Sequence, residues 1–540
     1  MTTSQTGAEQ ARRSWVPMVG LFFAQMLMSF NVAALPVSIG GIVTDLGVAP
    51  TTASTAIVVY GLAVAALVMV GAKIGQRVGW VRVFRVVVST FAVSALMMLL
   101  GPSIGWVIGA QVVAGASAAV IVPSLVALVA ENYRGSQQAT AIGSLGSARA
   151  ISGVTAFLVG GALGTLVGWR PVFGVVLGLA ILVLLLSAWL RGDRGDPTVR
   201  IDVAGAVLVG LAVVALTLGF NNLNAWGVLR AGPGAPFDVA GASPAPVLVV
   251  LGVVLGQGFF LWTRRRTAKG RAPLVSLSVL GSSRERAAVY AMFVVVTLEA
   301  ALNFTVPLYI QIVQGRTPFD TSIAMMPFNL TVFVTATLVV RSYRRYSPRS
   351  IGMAGFVLTT AGLVWLSFVV TNNWEAFPTI LGLVVFGVGQ GALVTLVFNV
   401  LVTSAPKELA GDVGSIRGTT QNLASAVGTA LAGALLVGIL AANIAQAVSQ
   451  STYLPPALAD EVGLEDASFV SNDHLGELLA GSSATGAQAA EFVRINEEAR
   501  LDALRTGLLV LAGVSVLAFL PAARLPRYRP GEIPDPSPQD

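Results

Sequence analysis

Two charged residues lie inside long apolar segments of this chain, and their types could do chemistry there. Glu299 stands in TLEAALNF (297–304), within an apolar run from Ala287 to Ile310, and Arg149 stands in a second such run. A carboxylate and a guanidinium at membrane depth can pair with each other, and a desolvated carboxylate can also bind and release a proton. Two interpretations stay open: a proton-coupling site, or a permanent ion pair that only fixes helix packing.

The composition predicts the helices that must position these two residues. The chain has 540 residues, of which 55% are hydrophobic and 11% charged, and its mean hydropathy is +0.79. A hydrocarbon core of about 30 Å needs about 20 mainly apolar residues per helix, and such runs recur from Trp15 to Leu525. We predict fourteen transmembrane helices, at residues 15–42, 52–74, 83–101, 105–130, 138–163, 169–190, 202–224, 245–264, 286–312, 320–341, 349–371, 376–403, 412–446 and 500–523.

The basic residues predict an orientation and not a nucleic-acid partner. The net charge is +7 and the isoelectric point about 10.0. The clusters of Lys and Arg all fall on one side of the fourteen-helix arrangement, at 12–13, 73–85, 191–200, 264–271, 341–349 and 524–529. Since cytoplasmic loops carry the excess of positive charge, we expect a multi-pass protein of the inner (plasma) membrane with both termini cytoplasmic. At 1.5 Å per residue, Glu299 and Arg149 then lie about 16 to 18 Å from the cytoplasmic end of their helices, near the midplane.

The residue types that most enzymes and metal sites use are scarce. The chain has no Cys and a single His, His474, which excludes thiol chemistry and makes a metal centre unexpected. The Gly-rich stretch GVGQG (387–391) lies inside an apolar helix and not between a strand and a helix, so it is no phosphate-binding loop. We therefore expect no enzyme, no cofactor, no metal and no ATP-driven transport.

Short motifs spread over most of the chain carry a family resemblance. They are NVAALP (31–36), AKIGQRVGWVRVF (72–84), LVGGALG with GWRPVF (158–173), DVAGAVL (202–208) and GVGQG (387–391). With these motifs the chain resembles the major facilitator superfamily, and specifically its fourteen-helix drug:proton antiporter branch. The resemblance implies an all-α membrane protein of two six-helix halves plus an inserted helix pair, which works by alternating access. It does not carry over the coupling chemistry of that branch, because the matching positions are changed here; the proton gradient as the energy source is a separate expectation.

The loop between the second and third helices both follows and departs from the pattern of that branch. Arg77, Gly79 and Arg82 match the pattern, whereas Gln76 takes the place of an Asp. Cations at such a tight cytoplasmic turn can pair with helix ends across a gate. Because the Asp is missing, we expect a weakened charge relay at this gate. We expect Arg417, in the thirteenth helix, either to brace the gate or to snorkel to the membrane surface.

Inside the membrane, uncharged residues replace the ionisable ones that the antiporter pattern implies. These replacements are Leu27 in the first helix, Gln111 in the fourth and Gln421 in the thirteenth. Glu299 and Arg149 remain as the predicted proton-coupling or central ion pair. As substrate-cavity candidates we name Asn31, Gln111, Asn303, Gln390, Asn399 and Gln421, for which interhelical hydrogen bonds are the alternative interpretation.

The expected organisation follows from the resemblance and from two long connections. It comprises a cytoplasmic tail (1–14), an N-terminal six-helix half (15–190), the inserted pair (191–264), a basic cytoplasmic linker (265–285), a C-terminal six-helix half (286–523) and a second cytoplasmic tail (524–540). The second long connection, 447–499, is extracytoplasmic and contains nine acidic residues against one Arg. Its patterns LPPALADEVG, NDHLGELLAG and GAQAAEFVRINEEARLDAL predict short helices, of which the last runs into the final span. The connection is either a solvated face or a lid or dock for an envelope partner.

These observations favour a monomeric secondary transporter that exports an amphipathic or lipophilic compound, as in drug efflux. Export of an envelope lipid or lipid precursor is one alternative. Because the usual coupling residues are replaced, an uncoupled transporter-like scaffold or sensor is another.

Overall fold

The computed structural model is built from long helices. It describes residues 14–527, apart from 49, 192–193, 233, 239, 311–313, 315, 344, 372, 375, 405–408, 451–478 and 480–483. The helices are α1 (Val16–Leu46), α2 (Pro50–Val78), α3 (Trp80–Leu100), α4 (Ile104–Asn132), α5 (Gly135–Leu166), α6 (Arg170–Leu186), α7 (Val203–Trp226), α8 (Pro244–Ala268), α9 (Ser283–Leu308), α10 (Pro318–Ser342), α11 (Pro348–Val369), α12 (Phe377–Ser404), α13 (Ala410–Gln450), α14 (Gly486–Leu517) and a short α15 (Phe519–Ala522).

Fourteen of the helices in the described part of the chain are long and apolar enough to span a membrane, which confirms the predicted number. Their bounds agree with the predicted spans to within a few residues, with one exception. Helix α14 begins at Gly486, fourteen residues before the predicted start at residue 500. A capping box explains the early start, because the Thr485 hydroxyl accepts from the Gln488 backbone N–H and the Gln488 amide oxygen accepts from the Thr485 N–H.

The helices pack as two groups with an added pair. In the first group α1 packs on α5 and α6, and α2 packs on α4; in the second, α9 packs on α13 and α11 packs on α12 and α14. Helices α7 and α8 pack closely on each other, since Gly219 and Gly252 each face the backbone of the partner helix. Helix α7 also lies against α2 and α13, one from each group. The inserted pair therefore covers a seam between the two halves.

The two halves meet at the end where α2 finishes and α13 begins, which we call the basic end after Lys73 and the arginine-rich end of α8. Glycines allow the close approach there. A Cβ on Gly414 would lie 2.7 Å from the Pro123 Cα, and a Cβ on Gly418 would lie 2.8 Å from the Val68 Cγ2. Real Cβ atoms do not come so close, so α13 can pack on α2 and α4 only because these positions lack side chains.

Candidate functional site

Glu299 and Arg149 meet between the two halves, as the sequence predicts. Arg149 Nη2 on α5 lies 3.3 Å from Glu299 Oε1 on α9, and the two side chains are 33% and 16% exposed. The second carboxylate oxygen of Glu299 is buried and has no hydrogen-bond partner among the described residues. Asn303, one turn further along α9, is exposed. The pair is thus a single contact, in which the carboxylate keeps unused accepting capacity.

A second arginine lies beside this pair. Arg417 on α13 is only 5% exposed, and its Cζ atom lies 4.0 Å from the centre of the Phe398 ring. It is close enough to Arg149 for the two positive charges to interact. Of the two roles expected for Arg417, snorkelling to the membrane surface does not fit the structure, because its side chain stays inside the bundle over an aromatic face; bracing of the gate stays a prediction. It lines a small cavity together with Gln421 and Gly146.

A stripe of small residues lets α5 come close to the second half. A Cβ on Gly143 would lie 2.8 Å from Val340 Cγ2 on α10, and a Cβ on Gly146 would lie 3.4 Å from the Thr395 hydroxyl on α12. Ser147 forms a hydrogen bond with the Thr337 hydroxyl of α10. Small residues at a membrane helix interface allow such close packing. The stripe therefore sets the position from which Arg149 reaches Glu299.

A second ion pair joins the halves at the basic end. Lys73 Nζ on α2 lies 3.0 Å from Oδ1 and 3.3 Å from Oδ2 of Asp412, in the first turn of α13. Gln76 Nε2 donates to Asp412 Oδ1 at 3.2 Å, and the backbone N–H of Ser276 donates to Oδ2 at 2.9 Å. Asp412 is fully buried. Both carboxylate oxygens of Asp412 thus accept hydrogen bonds, from Lys73 and Gln76 in the first half and from Ser276 in the linker.

Packing around Trp80 reinforces this junction. A Cβ on Gly75 would lie 2.1 Å from the Trp80 ring, and a Cβ on Gly411 would lie 2.6 Å from it, so the ring fills the space that these two glycines leave. The segment before α7 adds a further contact, because Asp196 N–H donates to the Gln76 carbonyl oxygen at 2.9 Å. We call the cluster of Lys73, Gln76, Trp80, Ser276 and Asp412 the basic-end lock.

The predicted gate residues divide into two groups. Gln76 takes part in the lock, and Gly79 supplies the positive φ of 99° that the turn needs. Arg77 and Arg82 are exposed, and the contact with α13 comes from Lys73 instead. The expected weakening of the charge relay by Gln76 stays a prediction, while the contact between the halves has its carboxylate on the opposite side, at Asp412. Sequence reasoning missed Lys73, Asp412 and Ser276; the available signal was a lone Asp at the start of an apolar helix.

The other predicted cavity residues are polar groups inside the individual halves. Asn31 Nδ2 donates to Gln111 Oε1 at 3.1 Å, and both side chains are buried, which is the interhelical hydrogen bond of the alternative interpretation. Gln390 is 1% exposed, and neither atom of its amide has a hydrogen-bond partner among the described residues. Asn399 is buried in α12, and its amide nitrogen has no hydrogen-bond partner among the described residues. Of the candidates, only Gln421 lies in the cavity beside Arg417.

Only part of the acidic connection predicted at 447–499 lies within the described residues. Residues up to Gln450 belong to α13, and those from Gly486 onward belong to α14. The short helices expected between them, as well as His474, lie outside the described residues. The final segment runs without a break into the last span, as predicted.

Fourteen membrane-length helices in two halves, with one ion pair between the halves and a second at one end, define a membrane transport protein. The family model described as Major Facilitator Superfamily matches residues 21–429. This chain belongs to the Major Facilitator Superfamily.

The chain is similar to several curated antibiotic and drug exporters. It is 24% identical over 534 residues to the tetracenomycin C resistance and export protein of Streptomyces glaucescens, covering 97% of this chain and 95% of that one. It is 25% identical over 451 residues to the probable actinorhodin transporter of Streptomyces coelicolor, covering 81% and 75% of the two chains. It is 23% identical over 454 residues to the multidrug efflux pump LfrA of Mycolicibacterium smegmatis, covering 84% and 86%.

Among solved structures, the chain resembles the human organic anion transporter MFSD10. The TM-score is 0.58 at 12% sequence identity, and the match covers 94% of this chain and 98% of that one. At this identity the likeness concerns the fold. The transporter class, and not an enzyme class, follows from the family and the curated relatives.

Proposed function

We propose that the protein is a proton-coupled exporter of amphipathic compounds, with Glu299 as its proton-binding group. Export of drugs or antibiotics is supported by the relatives, whose names describe that activity. Proton coupling rests on one observation: Glu299 makes a single contact to Arg149, across the two halves, and retains a buried oxygen without a partner. A carboxylate in this condition changes its proton affinity strongly when its cation moves away.

The proposed cycle uses the two inter-half ion pairs in turn. In the present arrangement the basic end is closed by the lock, and Glu299 is paired with Arg149. Opening the basic end would move α13 away from α2 and α4 and shift the second half relative to α5. Separation of Arg149 from Glu299 would take the neighbouring positive charge away, and in the proposed cycle Glu299 takes up a proton in one state and releases it in the other.

The clustering of basic residues supports an orientation with the basic end in the cytoplasm and the protein in the inner membrane. We further propose that the protein acts as a monomer, since each half supplies one partner of both ion pairs. No described residue supports an envelope lipid as the exported compound, because the acidic connection lies mostly outside the described part of the chain.

The test is gradient-driven transport in proteoliposomes by the purified full chain, with tetracenomycin C and puromycin as probes. We expect transport that depends on an imposed proton gradient and that falls by at least about tenfold in Glu299→Gln, because the amide cannot exchange a proton. The matched control is Glu498→Gln, the same change at an exposed glutamate on α14, which should transport normally.

Two outcomes would overturn parts of this proposal. Transport that Glu299→Gln leaves undiminished contradicts the coupling role. The lack of gradient-driven transport for every probe, by a protein that is folded and correctly inserted, contradicts the exporter function and favours the uncoupled scaffold.

A further inference from the structure

The positive charge of Arg417 is not matched by any carboxylate in the described part of the chain. The side chain is 5% exposed, and its only described close partner is the Phe398 ring, whose centre lies 4.0 Å from the guanidinium carbon. Burying a charge inside a membrane protein is costly, so such residues usually face a partner or a cavity. Arg417 therefore has binding capacity that the protein itself leaves unused.

The charges around Arg417 add up to an excess of one positive charge. Arg149 is close enough to repel it, and among the described residues the one carboxylate that contacts either arginine is that of Glu299, which lies against Arg149. Glu299 offsets Arg149 and leaves the charge of Arg417 uncompensated. A cationic group entering here would meet two arginines against one carboxylate, whereas an anionic group would balance the site.

The small cavity beside Arg417 combines polar groups with an apolar wall. Gln421 contributes an amide, whose N–H groups can donate to an anionic group that pairs with the guanidinium. The hydroxyl of Thr395 also lines this space, but it donates to the Ala336 carbonyl oxygen at 3.4 Å. The rest of the lining is apolar and comes from three helices, including Ile142, Met292 and Val295. One cation with a few polar groups in an apolar wall is the usual composition of a site that orients a small molecule.

We propose that Arg417 binds an anionic group of the transported compound, such as a carboxylate, phenolate or sulfonate, while the apolar part of that compound lies against the lining of this pocket. This inference rests on the proposed export function, whose cargo it narrows to organic anions. The guanidinium can donate two parallel hydrogen bonds to such a group. Phe398 holds the guanidinium plane in place for that contact through its ring face.

The test compares three probes that share one ring system and differ in charge: naphthalene-2-sulfonate, 2-naphthylmethylammonium and 2-naphthalenemethanol. Binding to the purified full chain in nonionic detergent is measured by titration calorimetry, without a proton gradient. We expect the sulfonate to bind at least about tenfold more tightly than the ammonium compound. In Arg417→Gln the sulfonate should lose at least about tenfold in affinity, while the neutral alcohol changes by less than about twofold.

Two variants control for charge and for general effects. Arg417→Lys keeps a cation at the site and should retain most of the preference for the sulfonate. Arg494→Gln removes an exposed arginine that pairs with Glu491 and Glu498 on α14, and it should leave all three affinities unchanged.

Three results would overturn the inference: tighter binding of the ammonium compound by the unmodified protein, equal affinity for the three probes, or an equal loss for all probes in Arg417→Gln. The first two need no variant, so the inference stays testable even if Arg417→Gln fails to fold. Because binding is measured without a gradient, it separates this inference from the proposed coupling. If Glu299→Gln abolishes transport but the three probes bind with equal affinity, the proposed coupling is supported and the anion site is refuted.

Discussion

The two ion pairs that join the halves differ in how completely their charges are satisfied. In the basic-end lock, the buried carboxylate of Asp412 accepts from Lys73, Gln76 and the backbone of Ser276. At the centre of the bundle, Glu299 has one contact at 3.3 Å, and its second oxygen has no described partner. One site is saturated with hydrogen bonds and the other is not.

This difference indicates different tasks for the two pairs. A buried charge with all of its hydrogen bonds made is costly to disturb, because any movement leaves donors and acceptors without partners. Such a cluster holds one conformation. A carboxylate with a single charged partner can exchange that partner for a proton at a much smaller cost. The lock is suited to keep the basic end closed, and the central pair is suited to change its protonation.

The strongest test of the comparison is Asp412→Asn, for which we expect the largest effect. The substitution leaves the Lys73 ammonium inside the lock without a carboxylate, and removal of one partner of a buried ion pair costs about 3–5 kcal/mol. The loss should appear as a lower melting temperature of the purified protein. Because the chain has no native Cys, a single Val68→Cys variant, placed under Gly418 at the junction, also reports opening through its rate of maleimide labelling.

In the Val68→Cys background, Asp412→Asn should raise the labelling rate from the basic end, whereas Glu299→Gln should change it much less. Equal labelling rates in the two variants would contradict the assignment of gate closure to the lock. The same reagent with the cysteine-free protein gives the background.

The second prediction concerns the packing of Trp80 and has a matched control on the same helix. In Gly75→Ala the new methyl group would overlap the Trp80 ring, and overpacking of this kind costs about 1–3 kcal/mol. Gly61→Ala, also on α2, meets nothing within 4 Å and should not destabilise the protein. The replacement Trp80→Leu should recover part of the loss in Gly75→Ala. A melting temperature that falls equally in the two alanine variants would refute the role of the ring.

The third prediction concerns the central pair and expects a smaller change in stability than at the lock. A double-mutant cycle with Arg149→Gln and Glu299→Gln should give a coupling free energy of about 0.6 to 1.7 kcal/mol, the range typical of polar contacts between membrane helices. Thermal unfolding of the four proteins measures it. A coupling as large as the loss in Asp412→Asn would make the central pair a structural brace and would weaken its assignment to coupling.

The sequence was sufficient to predict the central pair but not the lock, and the reason is physical. Glu299 and Arg149 are conspicuous because charges inside long apolar runs are rare, and the rise per residue gives their depth. Asp412 lies at the start of a helix, where a carboxylate is ordinary. Its importance comes from the arrival of α2 and the linker beside α13, which only tertiary structure reveals.

The same limit explains the other differences between prediction and structure. The number of helices follows from hydropathy, which is a local property, and it was predicted correctly. Hydropathy places the start of the last membrane span at residue 500, because the first turns of α14 carry Glu491, Arg494 and other polar residues, whereas the helix predicted from GAQAAEFVRINEEARLDAL onward begins at Gly486 behind a capping box at Thr485. Snorkelling is one of the two roles expected for Arg417 from its position near the helix start, and the Phe398 ring that covers it lies on another helix.

The last prediction has the smallest expected effect and tests whether charge matters at the rim of the lock. Asp196 lies outside the membrane-spanning helices, and its Oδ1 accepts from the hydroxyl and the backbone N–H of Thr198 at 2.6 and 2.9 Å. These hydrogen bonds lower the pKa of Asp196 below its usual value. A lowered pKa in the folded state stabilises the protein above the unfolded pKa of about 4, and the benefit is lost as the pH falls through the folded value.

Asp196→Asn should therefore lower the melting temperature slightly at pH 7, and the difference from the unmodified protein should shrink as the pH falls below about 4 and disappear once the pH is below the folded pKa of Asp196. Between pH 6 and pH 8 the difference should stay constant, since Asp196 remains ionised in both the folded and the unfolded chain. Because Asp196 also donates its N–H to the Gln76 carbonyl oxygen, the substitution perturbs the edge of the lock without removing any of its charges. A loss as large as that in Asp412→Asn would show that closure of the basic end depends on the segment before α7 and not on the buried carboxylate alone.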